Sequence, residues 1–146
     1  MRRCSRLLVT AAALIAVAAS LTGCSILEPT RDADGRVVAD LDARASQLRI
    51  GDCFSFQNEA DLSQVTIVPC AQPHSHLVID QGEVSPARIK LAGGLQNALS
   101  VVCAPPYARH LATLPEGTEP EQEFLAAMID RDGYEYANYS CVVAAG

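Results

Sequence analysis

His74 and His76 stand on either side of Ser75, and this triplet holds the most reactive side chains in the chain. Residues two apart share a face of a strand, so both imidazoles could reach one metal ion, with Asp52 or Asp80 as a third ligand. The competing expectation is that His74 hydrogen-bonds a turn and His76 lies on the surface. Ser75 could serve as a nucleophile, but it has no Gly-x-Ser-x-Gly elbow, and no third triad member stands out by position. None of the 17 acidic residues stands out as one of a carboxylate pair for glycoside cleavage. Asp52, in the dipeptide Gly51-Asp52, reads as a turn residue whose carboxylate accepts backbone N–H bonds. Tyr134, Tyr136 and Tyr139 read as sheet packing, or as a contact patch if they are exposed. No residue pattern calls for a cofactor.

The elements that hold these residues follow from apolar periods and from the cysteines. Leu48, Ile50, Phe54 and Phe56 alternate through an interruption at Gly51-Asp52, which predicts a strand with a bulge or turn. Val65–Val68 is β-branched up to Pro69, and His76 to Asp80, extending toward Val84, predicts the next strand. Ser85-Pro86 has the form of a helix N-cap followed by proline at the first helical position. Leu91, Leu95, Leu99, Val102 and Cys103 then recur at helical spacing. Gly93-Gly94 weakens the first turn, and Pro105-Pro106 ends the helix or restarts a short one through Leu111. Residues 115–123 form an acidic exposed loop. Phe124–Asp130 and Tyr136–Ala144 are two strands joined at Asp132-Gly133. The expected fold class is α+β, a small antiparallel sheet with one principal helix on one face. Asp34-Gly35 and Asp132-Gly133 read as ordinary turns, because neither continues as a calcium loop.

The first residues read as an address. Arg2, Arg3 and Arg6 precede the apolar run Leu7–Leu21, too short for a spanning helix of about 20 residues and typical of a signal peptide. Leu21-Thr22-Gly23-Cys24 resembles a bacterial lipobox. That resemblance implies a diacylglycerol on the Cys24 thiol, cleavage after Gly23, and acyl chains that hold the mature protein on the membrane. Residues 24–47 then read as a flexible tether, poor in large apolar residues. Without residues 1–23 the chain carries 8 basic against 17 acidic side chains, and Lys90 is its one lysine. Such a surface excludes nucleic acid as a partner. For an exported chain, Cys53, Cys70, Cys103 and Cys141 form a disulfide framework with three possible pairings. Cys53–Cys70 with Cys103–Cys141 is favoured, because each bond then joins neighbouring elements without crossing the other. A structural metal site lacks the close cysteine spacing it needs.

Ile50-Gly51-Asp52-Cys53-Phe54, Val68-Pro69-Cys70, Pro73-His74, a helix cysteine and Cys141-Val142-Val143 together resemble the septum-formation domain. That domain is carried by exported proteins and lipoproteins of actinobacteria. The resemblance covers about residues 48–144 and places its motif on Gly51, Asp52, Phe54, Pro69, Pro73 and His74. Leu77-Val78 stands where the family usually has a glutamate-valine step. The resemblance implies a module of residues 48–146 on the outer face of the cell membrane, partnered by an envelope or division protein and without catalytic activity. The alternatives are a metal- or small-ligand-binding lipoprotein that uses His74 and His76, and a cell-wall hydrolase.

Overall fold

The computed structural model describes residues 31–58 and 60–144. Residues 1–23, expected to be a signal peptide, and the lipidation candidate Cys24 lie outside the described residues. Among the described residues, six strands form one antiparallel sheet in the order β1-β3-β2-β4-β6-β5. They are β1 (Leu41–Arg44), β2 (Cys53–Phe56), β3 (Gln64–Val68), β4 (His76–Val84), β5 (Gln122–Arg131) and β6 (Tyr134–Ala144). A short helix α1 (Pro86–Leu91) and the principal helix α2 (Leu95–Leu111) pack on one face, against β4 and β6. This is the α+β class expected from the sequence, and both favoured disulfides, Cys53–Cys70 and Cys103–Cys141, are formed.

The sheet has a core on each face. Val84, Ala98 and Leu99 pack between sheet and helices, beside the fully buried Cys103 and Cys141. On the far face Phe54, Val65, Ile67, Val78 and Val142 pack with Val37, Ala43 and Leu48. These last residues correct the expectation of a flexible tether over residues 24–47. From Arg31 onward the segment belongs to the fold, because β1 pairs with β3 and Val37 and Ala43 are buried in the far core. The apolar positions were too few and too short in run to announce a strand.

Local chemistry explains most boundaries. Asp132 (φ 57°) and Gly133 (φ 77°) both adopt left-handed conformations, the two-residue turn whose twist matches the flanking strands. The Ser85 side chain accepts from the Arg88 N–H, and Pro86 fills the first helical position. At the other end of α1, Gly94 N–H donates to Ile89 O and Gly93 N–H to Lys90 O, with Gly93 at φ 79°. This paired closure splits the single helix expected from the periodicity. It also turns Leu91 out to solvent at 88% exposure, so Leu91 does not share the buried face of Leu99 and Cys103.

The prolines do not end α2. The helix continues through Pro105 and Pro106 to Leu111. Each proline removes one intrahelical bond, yet contacts on both sides hold the axis. Cys103 is bonded to β6, Pro106 is buried, and the Tyr107 hydroxyl donates to Pro120 O.

Two outcomes follow for stability. The bonds close 17 and 38 residues, which the loop-entropy model values at about 3 and 4 kcal/mol. Cys103→Ala with Cys141→Ala should lower the urea midpoint more than Cys53→Ala with Cys70→Ala, since the second bond also fills a core. Tyr139 packs over Gly82, and burial, helped by the Asp80 charge, raises its phenol above the usual 10.0. The folded state thus favours the protonated phenol, so this stability is whole below pH 10 and is lost as pH rises through the raised value. Tyr139→Phe should flatten the alkaline limb of a stability-versus-pH curve.

Candidate functional site

The starts of β2 and β4 and the ends of β3 and β6 meet at one end of the sheet, and the motif residues collect there. Cys53–Cys70 ties the β2 start to the segment after β3. Gly51 (φ 88°) is exposed in the preceding turn, where its N–H donates to Val78 O and Val78 N–H donates back to Asp52 O. Pro69 accepts from Gln72 N–H and so closes the turn that carries Pro73 and His74. Phe54 is wholly buried in the far core.

Asp52 fulfils the expected turn role, and more. Its Oδ2 accepts from Arg49 N–H at 2.7 Å. Arg31 donates to both carboxylate oxygens, Nη1 to Oδ1 at 2.6 Å and Nη2 to Oδ2 at 2.7 Å. The side chains are 8% and 4% exposed, so this is a buried bidentate pair. A buried carboxylate is tolerable only with such partners.

The two histidines are engaged separately. His74 precedes β4, and its Nδ1 lies 2.8 Å from Gln72 O, which is the turn-bonding role anticipated for it. His76 is not the surface residue of the competing expectation. Its ring stacks on Phe54 at 5.2 Å between centroids and meets Phe56 edge-on at 4.9 Å. Nδ1 lies 2.7 Å from Ser75 Oγ, and Nε2 lies 3.3 Å from Glu123 Oε2. Among the described residues no group of three or more His, Cys, Asp or Glu side chains is placed to hold a metal.

Ser75, His76 and Glu123 thus form a hydroxyl–imidazole–carboxylate chain, the order a nucleophilic triad uses. Ser75 Oγ also lies 3.4 Å from Phe54 O, and its own N–H donates to Ser55 Oγ at 3.1 Å. The serine is thereby tied into the β2–β4 junction. The broad groove of about 1230 Å³ lies elsewhere on the far face, lined by Arg44, Leu48, Gln81, Leu125, Ile129 and Ser140 among others. Gln81 Nε2 spans its floor, donating to Leu48 O and Ser140 Oγ.

Two contributors lie outside the candidates that the sequence offers. Arg31 sits in a polar stretch 21 residues from Asp52, with no local pattern to mark it. Glu123 falls in the acidic stretch 115–123 that the sequence marks as a loop, yet it is the second residue of β5; its alternation with Leu125 is the signal for it. Ser75, a nucleophile candidate from its neighbours alone, gains its third group through Glu123.

The buried pair generates a direct test. Asp52→Asn keeps the shape and removes the charge beneath Arg31, and should cost about 3 kcal/mol by urea unfolding. In an Arg31→Met background the same change should cost less, with a coupling of roughly 0.5–3 kcal/mol. Additive losses would mean that the two side chains do not act together.

A scan against protein-family models and searches of curated proteins and of solved structures returned no match.

Proposed function

We propose that this chain is a lipid-anchored, extracytoplasmic interaction module of the bacterial cell envelope, partnered by an envelope or division protein. The observation that carries this reading is the pair of formed disulfides, Cys53–Cys70 and Cys103–Cys141, in a chain whose arginine-led apolar run Leu7–Leu21 and Leu21-Thr22-Gly23-Cys24 resemble a lipoprotein signal. Structural disulfides belong to exported proteins. The likeness of the Gly51-Asp52-Cys53-Phe54 and Pro69-Cys70 motifs to the septum-formation domain supports a role near the septum. Asp52 and His74 serve the turns and Phe54 the far core, and the groove and the outer strand β5 are among the surfaces open to a partner.

Hydrolysis of cell-wall polymer is the second reading, favoured by the Ser75–His76–Glu123 chain. Cleavage of purified wall material that vanishes in Ser75→Ala would establish it.

The test of the first reading is crosslinking of the full chain in its native envelope, with Cys24→Ala as control. Capture of division or wall-synthesis proteins that depends on Cys24 is expected. Capture of nothing above the Cys24→Ala control would overturn the reading.

A further inference from the structure

The two edges of the sheet are unlike. β1 has four residues and is followed at once by a helical turn, Ala45–Gln47. β5 has ten, and its middle, Phe124–Ile129, carries no charge, no proline and no register shift. Sheets ordinarily guard a long edge with such devices, because its unpaired N–H and C=O groups template another strand. Ala126, Ala127 and Met128 are exposed, so neither helix covers the middle of this edge.

Backbone parity restricts what can pair there. The two-residue turn makes Arg131 and Tyr134 a hydrogen-bonded pair, and the register runs unbroken to Gln122. Odd-numbered residues of β5 therefore bond to β6, and Phe124, Ala126, Met128 and Asp130 direct their N–H and C=O groups outward. No backbone bond joins these outward groups to another described residue. An antiparallel partner of the same sequence must set even residues against even ones, so the two-fold axis passes through a residue and never between two.

Three central registers remain, and side-chain chemistry separates them. Centred on Ala126, Glu123 faces Ile129 of the second copy; centred on Met128, Leu125 faces Arg131. Both set a charge against an aliphatic side chain on the far face and leave Glu123 and Arg131 unpaired with each other. Centred on Ala127, Glu123 faces Arg131 twice, Leu125 faces Ile129 twice and Ala127 faces itself on the far face, while Asp130 stands opposite Phe124 on the helix-side face. Opposite charges and paired aliphatics directly across strands are stabilising. Glu123 and Arg131 are 40% and 54% exposed while they hold His76 and Glu83, which leaves both with surface to meet a second copy. We propose that β5 pairs with β5 of a second copy of this chain, antiparallel and centred on Ala127, joining the two sheets edge to edge.

Ala127 would then form a non-hydrogen-bonded pair with its counterpart, at about 4.5 Å between Cα atoms, within disulfide reach. The test uses the full chain in its native membrane, with Ala126→Cys, Ala127→Cys and Met128→Cys made singly and oxidised mildly. Ala127→Cys should double in mass on a non-reducing gel, with the other two crosslinking about tenfold less. Equal crosslinking at all three, none at position 127, or a product with a different protein overturns the proposal. Sedimentation of the detergent-solubilised full chain gives a second readout that adds no thiol. Glu123→Arg should weaken self-association about tenfold, and Glu123→Arg with Arg131→Glu should restore it. A wild-type chain that sediments as a monomer at every concentration, or a double variant that fails to recover, also overturns it.

Discussion

Side chains of a strand alternate between faces, and β4 must nevertheless feed two cores on opposite sides of the sheet. Val78 packs into the far core and Val84 into the helix-facing core, although six residues separate them and a regular strand would put both on one face. The register shift between Val78 and Asp80 resolves the conflict. One extra residue at Ile79 reverses the alternation, so the first half of the strand faces the N-terminal segment and the second half faces the helices. Since β4 lies between β2 and β6, every other element takes its place from that reversal. Deleting the extra residue would turn one valine to the wrong face and set both cores against each other.

The same strand joins the candidate site to the outer edge. His76 opens β4 within the far core, between Phe54 and Phe56, and reaches past β6 to Glu123 near the start of β5. At the opposite end of β5, Arg131 is held by Glu83 at 2.7 Å and lies over the Tyr136 ring at 4.8 Å. The outer strand is therefore fastened to β4 at both ends through side chains, while its middle stays uncovered. That division suits a surface meant to receive a partner without peeling from its own sheet.

Much of this was legible because the chemistry is local. The β-branched run before Pro69, the Asp132-Gly133 turn and the Ser85-Pro86 cap each act within a few residues, and so does the non-crossing pairing of the cysteines with their neighbouring elements. What was illegible depends on distance. Helical spacing placed Leu91 inside, but the two-glycine closure of α1 redirects it. Prolines argue against a continuous helix, yet a disulfide before them and a tyrosine bond after them keep α2 whole. Arg31 and Asp52 share no local signal at all, and their pairing exists only because the fold brings an apparent linker back to the domain. The motif residues lie together at one end of the sheet, where the geometry gives them turn and core duties around Cys53–Cys70.

That return of Arg31 changes how far the domain can stand from a bilayer. Under the proposed anchoring at Cys24, a linker loose through residue 47 would let the domain rise about 80 Å from the surface. With Arg31 clamped to Asp52, the stretch from Cys24 to Arg31 reaches at most about 25 Å even when fully drawn out. The domain is then confined to a shallow layer against the lipid, where neighbours meet in two dimensions rather than three. In such a layer a modest strand-to-strand affinity acts at high effective concentration. Under that anchoring, a salt bridge that looks purely structural would set the leash length, and with it the height at which a partner would meet the domain.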